Sequence, residues 1–501
     1  MLTLSRQRPS RHLWGLKWRS SISFITFDYG VGITTDLIIY SMMIPFLPFH
    51  LERLSYSRVS VLVGFLLFGL EAGVVLATPI TAWLSEKYKA RQSILLTGLL
   101  ASIFSQGVML VSRQYWLMVI AQVFQGMSSA MVWVAGLALI CDTVPQEHVG
   151  QQLGLATSGL TLGQMIGPPS GGWLYDRFGF RAPWIFTITI TSLDLLGRLC
   201  MVEGQKARIW AADPANVSGC SMCIEDDLIG PATVSSANPT NSGTSTSCKH
   251  GPLINSEISI IQDDTVSTDE ATPPSAMTPS LSLIEVTLTL LKSSRALTAI
   301  VNIAIYGFVT SSLEPTLPLH LQKLWGLGSS DVGIVLVLIF IPTLIALPIS
   351  GRYSDSVGTE WVTILCLLGA LPWWAAINVN ASLTFFIVSY ALKRMFNSSV
   401  VSPLTAELAS VCRTLDGVGY AHVYGAFNLA YAIGCGLGNL VGGEMYERIE
   451  KGWLAGNILN MGLVTVSIAI ALKYTGNHPL MGRVFERLRQ PGIQLREDDD
   501  A

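Results

Sequence analysis

Charge is what this chain has least of. Asp, Glu, Lys and Arg make up 13% of its 501 residues, while half of the residues are hydrophobic. Soluble domains carry about 25% charged residues, so a chain with mean hydropathy +0.48 reads as one that lies mostly in lipid. The formal net charge of -3 says little about partners, because most of the charges lie in loops and tails. No G-x-x-x-x-G-K-[ST] loop is present, which excludes an ATP-driven pump carrying its own ATPase. No metal or nucleophile constellation of a membrane enzyme is present either, and no enzyme activity, cofactor, metal or nucleic-acid partner is expected. The eight cysteines are scattered. Cys141, Cys200, Cys366 and Cys435 lie in or beside apolar runs, where free cysteine behaves as a small hydrophobe. Cys220-Ser-Met-Cys223, with Cys248 and His250 nearby, lacks the flanking helix or strand of a zinc site. A cleavable signal peptide is not expected: the basic N-terminus (Arg6, Arg8, Arg11, Lys17, Arg19) leads into a long apolar run that flows into others.

Apolar runs near the ~20 residues that span a bilayer fall at roughly 24–49, 61–84, 92–112, 115–141, 151–174 and 182–202. A second set falls at roughly 297–320, 331–350, 361–380, 382–405, 421–443 and 453–473. Between the two sixes, 203–283 is rich in Ser, Thr, Asn, Pro and Asp and nearly free of aromatic residues. Such a segment cannot bury enough apolar surface to order itself and reads as a disordered cytoplasmic linker. The basic tail 1–23 is expected in the cytoplasm. An even number of spans then returns the linker and the C-tail, 474–501, to the same side. The expected layout is an N-terminal six-helix bundle over 24–202 and a C-terminal one over 284–473.

The chain is written twice. Gly163, Gly167 and Gly171 lie four residues apart, which on a helix gives one side-chain-free stripe, and Gly434, Gly438 and Gly442 repeat it. Such stripes let membrane helices meet at backbone distance, where packing drives association. Pro168 and Pro169 sit inside the apolar run, which a membrane helix tolerates when neighbours satisfy the freed backbone. Pro45-Phe-Leu-Pro48-Phe-His50-Leu51 returns as Pro315-Thr-Leu-Pro318-Leu-His320-Leu321, and Thr78-Pro79-Ile80 as Leu347-Pro348-Ile349, all at offsets of 269 to 271. Parallel six-helix repeats imply two bundles related by a pseudo-twofold axis, with a central site near the bilayer midplane.

These residues resemble the major facilitator superfamily, and within it the twelve-span drug:proton antiporters. Ala82-Trp-Leu-Ser-Glu86-Lys87-Tyr-Lys-Ala-Arg91 resembles the family's loop between spans two and three, with Ala82, Glu86, Lys87 and Lys89 departing from it. Gly351-Arg352-Tyr-Ser-Asp355-Ser-Val-Gly358 is its second copy. The stretch Gly163 to Gly172, with Gly167, Pro168, Pro169 and Gly171, looks like the antiporter motif of span five. Asp36 with Ile44-Pro45-Phe-Leu-Pro48, and Glu314-Pro315-Thr-Leu-Pro318, are similar to spans one and seven of vesicular amine transporters. Tyr420-Ala-His-Val-Tyr424-Gly425 looks like fungal multidrug members. Two departures stand out: Gln122 replaces the span-four arginine, and Asn397 replaces a span-ten Asp.

The resemblance implies a monomeric, multi-pass secondary transporter exporting a small organic molecule in exchange for protons, in the plasma membrane or, second, a vacuolar or vesicular one. A gradient-independent facilitator or symporter, and a non-transporting sensor, stay open beside it.

Charge at bilayer depth costs at least ~2.5–3.5 kcal/mol per residue, so Asp36, Glu71, Asp194, Glu314, Lys393 and Arg394 are site candidates, with Asn397 beside them. Asp36 and Glu314 are expected to handle protons or cations in the central cavity. The competing reading makes Asp36–Arg394 or Glu71–Lys393 static pairs. By depth, Tyr40, Trp133, Phe427 and Asn428 are expected to line the cavity. Glu86, Lys87, Arg91, Gly351, Arg352 and Asp355 lie on loops that either latch the halves or are simply solvated.

Overall fold

The computed structural model describes residues 19, 21–88, 91–144, 149–201, 292–413 and 420–476. The tails, the 203–283 linker with Cys220, Cys223, Cys248 and His250, and the side chains of Glu86, Asp355 and Tyr420 to Tyr424 lie outside the described residues. All the described helices belong to one compact unit, Leu13–Arg208 with Ser280–Ala501.

Every regular element described is a helix. In the first half these are α1 (Ile22–Arg53), α2 (Val59–Tyr88), α3 (Arg91–Val111), α4 (Tyr115–Thr143), α5 (Val149–Phe178) and α6 (Arg181–Cys200). In the second half they are α7 (Ser294–Ser311), α8 (Leu317–Trp325), α9 (Ser329–Val357), α10 (Thr359–Ala376), α11 (Leu383–Ser398), α12 (Val401–Arg413), α13 (Tyr420–Arg448) and α14 (Gly452–Tyr474). Among the described residues, α1 to α4, α9, α10 and α14 are each long and apolar enough to cross a membrane alone. The glycines of the stripes dilute α5 and α13, and spans seven and ten are each divided in two.

Serine caps start several helices where the first N–H groups lack partners. The hydroxyls of Ser21, Ser293 and Ser382 accept from the amides of Phe24, Ala296 and Phe385. At the other end of α8, Gly326 takes φ +67°, a left-handed turn that a side chain would strain.

The uninterrupted spans expected over 297–320 and 382–405 are both broken. Between α7 and α8, residues 312–316 form turns, with Glu314 N–H donating to Ser311 O and Thr316 N–H to Leu313 O. Pro315 has no N–H to continue the ladder, and the hydroxyls of Ser312 and Thr316 bond to the carbonyls of Val309 and Leu313. Asn460 of α14 donates to the Ser312 hydroxyl at 2.8 Å and holds the break in place. Ser399 and Val400 separate α11 from α12.

Each half closes around its own core: Phe46, Leu66 and Trp184 in the first, Phe340, Trp374 and Phe386 in the second. Phe27, Ile80, Phe104, Leu193 and Ile345 are exposed on the outside, as lipid-facing residues must be. With lipid as apolar as the core, close packing holds the helices together, and the glycine stripes supply it. Gly163, Gly167 and Gly171 put α5 against the backbone of α1 at Thr34, Ile38 and Met42. Gly434, Gly438 and Gly442 put α13 against α7 and its end at Ala304, Phe308 and Ser312. A second repeat locks the far ends: His50 stacks on Phe180 at 3.7 Å, and His320 on Trp453 at 3.9 Å.

Candidate functional site

Call the end at which α1 begins proximal and the end at which it finishes distal. The halves meet at the distal end through one clamp built twice. Gly172 of α5 lies on the backbone of Ser329 at the start of α9, and Gly443 of α13 lies on Ser60 at the start of α2. The Ser329 hydroxyl donates to Asp176 at 2.6 Å, and the Ser60 hydroxyl donates to Glu447 at 2.9 Å. The Ser330 N–H adds a bond to Asp176, so that carboxylate also caps α9. Gly333 packs on Pro168 O and Pro169 Cα, which gives those prolines a place in the contact between halves. Around the clamp, Arg58 pairs with Glu444 at 3.0 Å, and Gln322 donates to Glu52 at 3.2 Å.

At mid-depth the candidate residues converge. Asp36 on α1 is partly exposed and accepts from Ser129 Oγ at 2.7 Å and Trp133 Nε1 at 3.1 Å, both on α4. One turn further along α1, Tyr40 donates across the interface between halves to Glu314, which sits on the break of span seven. Glu71 is buried on α2 against Gly436 of α13, within electrostatic reach of both Asp36 and Glu314. Tyr306, Tyr431 and Phe427 stack in succession, at 5.9 and 6.4 Å, as an aromatic wall on the second half. Asn428 Nδ2 is buried beside that wall without a hydrogen-bond partner.

The cations are not held in the static pairs of the competing reading. Lys393 is buried in an aromatic cage, its Nζ 3.7 Å from the Tyr390 ring and 4.2 Å from the Trp374 ring. Arg394 lies 4.3 Å over Phe340, and its Nε has no partner. Neither static pair, Asp36–Arg394 or Glu71–Lys393, is formed. Cation–π contact gives a desolvated cation about 2 kcal/mol without neutralising a carboxylate, so both acids stay chemically available. Asn397 donates to Thr310 at 3.2 Å and ties α11 to α7 within the second half. Gln122 donates to Met43 Sδ, and its buried Oε1 has no partner.

At the proximal end, Arg91 bonds Asp142 of α4 at 3.0 Å and also Ser85 of α2, both within its own half. Lys87 lies over Trp83 at 4.5 Å, Gly351 approaches Ser402, and Arg352 is exposed. Glu407, which the sequence reading did not single out, takes the corresponding place in the second half, accepting from Arg295 Nε at 2.8 Å and Thr359 Oγ1 at 2.8 Å.

The Major Facilitator Superfamily profile matches residues 30–214 and 299–492, covering both halves. The chain belongs to the major facilitator superfamily. This facilitator-superfamily protein is 25% identical over 461 residues to the MFS-type transporter ppzB of Metarhizium rileyi, covering 87% of this chain and 92% of that one. It is 23% identical over 394 residues to the chromaffin granule amine transporter of Rattus norvegicus, covering 76% and 60%. The crystal structure of the human organic anion transporter MFSD10 (TETRAN) superposes with TM-score 0.59 at 17% identity, covering 90% of this chain and 99% of that one. The superfamily fold of two helical halves, each written by one copy of the repeat, is thus this protein's fold, and it is a multi-pass membrane protein.

Besides Glu407 and the wall residues Tyr306 and Tyr431, the sequence reading missed Asp28, Arg198 and Ser129. Asp28 and Arg198 sit in the same apolar runs as Asp36 and Asp194, and the rule that selected those two selects them as well. Ser129 gives no such signal, since a serine in a membrane helix is ordinary until its partner is known.

Proposed function

We propose that this protein is a secondary active transporter that exports a small organic molecule, a drug or secondary metabolite, in exchange for protons across the plasma membrane. Alternating access between the two halves moves the cargo. The observation that carries this reading is the mid-depth pair Asp36 and Glu314. Each carboxylate is held by neutral donors, Ser129 and Trp133 for one and Tyr40 for the other, so neither is cancelled by a bonded cation. Lys393 and Arg394 lie within electrostatic reach of Glu314 without bonding to it, and an intramembrane acid outside a direct ion pair can load and release a proton. The Tyr40–Glu314 bond joins the halves, so the state of that acid bears on their separation. With the basic N-tail in the cytoplasm, the clamped distal end is the outer end. The relatives named for amine and for organic anion transport carry cargo of opposite charge, so neither name supplies this protein's substrate.

The test is proton flux in liposomes holding the purified protein under an imposed pH gradient, with amphipathic amines and aromatic metabolites added in turn. Proton movement triggered by one compound and lost in Asp36→Asn supports antiport. Compound movement that ignores the gradient supports the second reading, a facilitator. Gln122 favours that alternative, because a neutral amide bonded to a thioether offers no charge to couple.

A further inference from the structure

Asp28, Arg198 and Asp194 form a charged cluster that the proposed transport site does not use. They lie between α1 and α6 towards the proximal end, buried to 5%, 0% and 3% exposure respectively. Arg198 Nε is 3.7 Å from Asp28 Oδ2 and 3.6 Å from Asp194 Oδ1, close enough to pair but too far for a normal hydrogen bond. Arg198 Nε, Nη1 and Nη2, both oxygens of Asp194 and Asp28 Oδ2 all lack hydrogen-bond partners. The backbone is shaped for the cluster. A side chain at Gly32 would overlap the guanidinium, and one at Gly197 would stand 2.8 Å from Asp28 Oδ1.

Two carboxylates around one guanidinium leave a net negative charge in a fully buried space. Burying an uncompensated charge costs several kcal/mol. Among the described residues no other neighbour cancels it. Tyr29 of α1 offers its ring to Arg198 at 5.7 Å and donates its hydroxyl to Trp133 O of α4. Gln92 of α3 donates to the carbonyls of Arg198 and Met201. Of the described cations, Arg91 is committed to Asp142 and Arg19 to the carbonyls of Leu199 and Cys200. Of the two other acids on α1, Glu52 lies at the distal end, and Asp36, the nearer, would add to the negative charge.

We propose that the Asp28–Arg198–Asp194 triad is a second proton-binding site, in which one carboxyl carries a proton while the other pairs with Arg198. The proton comes from water or from a neighbouring acid as an O–H bond to one carboxylate oxygen, and leaves by the reverse step. The site lies about 12 Å along α1 from Asp36, eight residues at 1.5 Å each, on the proximal side. It stands between Asp36 and the proximal face, where a proton released from the centre would pass. This goes beyond the proposed function, and it does not need the substrate to be known.

Infrared spectroscopy of the full-length protein in lipid reads it directly through the C=O stretch of protonated carboxyls, identified by its shift in D2O. Asp28→Asn makes the triad neutral without a proton, so the wild-type-minus-variant spectrum around neutral pH should contain one protonated-carboxyl band. Asp194→Asn should give the same result. Arg198→Gln leaves two acids with no cation and should add one band instead. Unchanged carboxyl bands in all three variants, each with the wild-type helix content, would overturn the proposal and leave the triad as a fixed, negatively charged ion pair. Failure of the liposome flux experiment would not affect this result, since the band is read without transport.

Discussion

Spans one and seven begin as the same sentence and end as different structures. Pro45-Phe-Leu-Pro48 lies inside an unbroken α1, whereas Pro315-Thr-Leu-Pro318 marks the junction of α7 and α8. The prolines remove the same backbone donors in both, so the difference lies in what surrounds them. In span one, Met42, Met43 and Ile44 offer the backbone no substitute partner, and the helix continues with its bonds lost locally. In span seven, Ser312 and Thr316 bond back to nearby carbonyls, and Asn460 grips Ser312 from α14. The break places Glu314 where span one has Ile44, and turns a packing position into a chemical one.

Seven substitutions would break or sharpen this comparison. The largest effect is expected at the stripes. A methyl group at Gly442 meets the carbonyl of Ser312 head-on, whereas at Gly167 it meets first the movable hydroxyl of Ser41 and then Ile38 O at 2.9 Å. Gly442→Ala should therefore cost more than ~3 kcal/mol and Gly167→Ala about 1–3 kcal/mol, read as thermal unfolding of the purified protein. Glu314→Ile rewrites span seven as span one. It should abolish compound-triggered proton flux while leaving helix content by circular dichroism unchanged, which would show that the break outlives the charge. Tyr40→Phe removes a hydrogen bond to a charged group and should cost ~1.5–3 kcal/mol, roughly a 10- to 100-fold loss of coupled flux. Smaller again, Ser60→Ala and Ser329→Ala should each weaken the distal clamp by about 1 kcal/mol, and by similar amounts because the two sites repeat each other. Distance labels across the distal end would report the shift towards opening. Arg58→Gln, which breaks an exposed pair beside that clamp, should do less than either serine change, and less still in high salt.

Much of the frame was legible in the sequence because membrane architecture is written in runs and periods. Twelve apolar stretches, the offset of the repeats and the glycine spacing each follow from local residues, and the glycines meet backbone as their spacing requires. The breaks were not legible, since Pro45 and Pro315 look alike until Asn460, nearly 150 residues away, is brought against one of them. Charges were found by depth, but not their partners. Asp36 is satisfied by Ser129 and Trp133, some 90 residues away on α4, and Lys393 by rings in place of an acid. Long-range pairing of this kind leaves no period in the chain.

The doubled clamp at the distal end has one more consequence. A fastening made of two copies of one serine, glycine and carboxylate pattern has little arrow: it gives way and re-forms in nearly the same way whichever half is counted as moving. Vectorial work therefore cannot originate there. It must be imposed where the copies disagree, at Asp36 against Tyr306 and Ile44 against Glu314. Overlaying the chain on itself and keeping the mismatches is thus a way of mapping its chemistry.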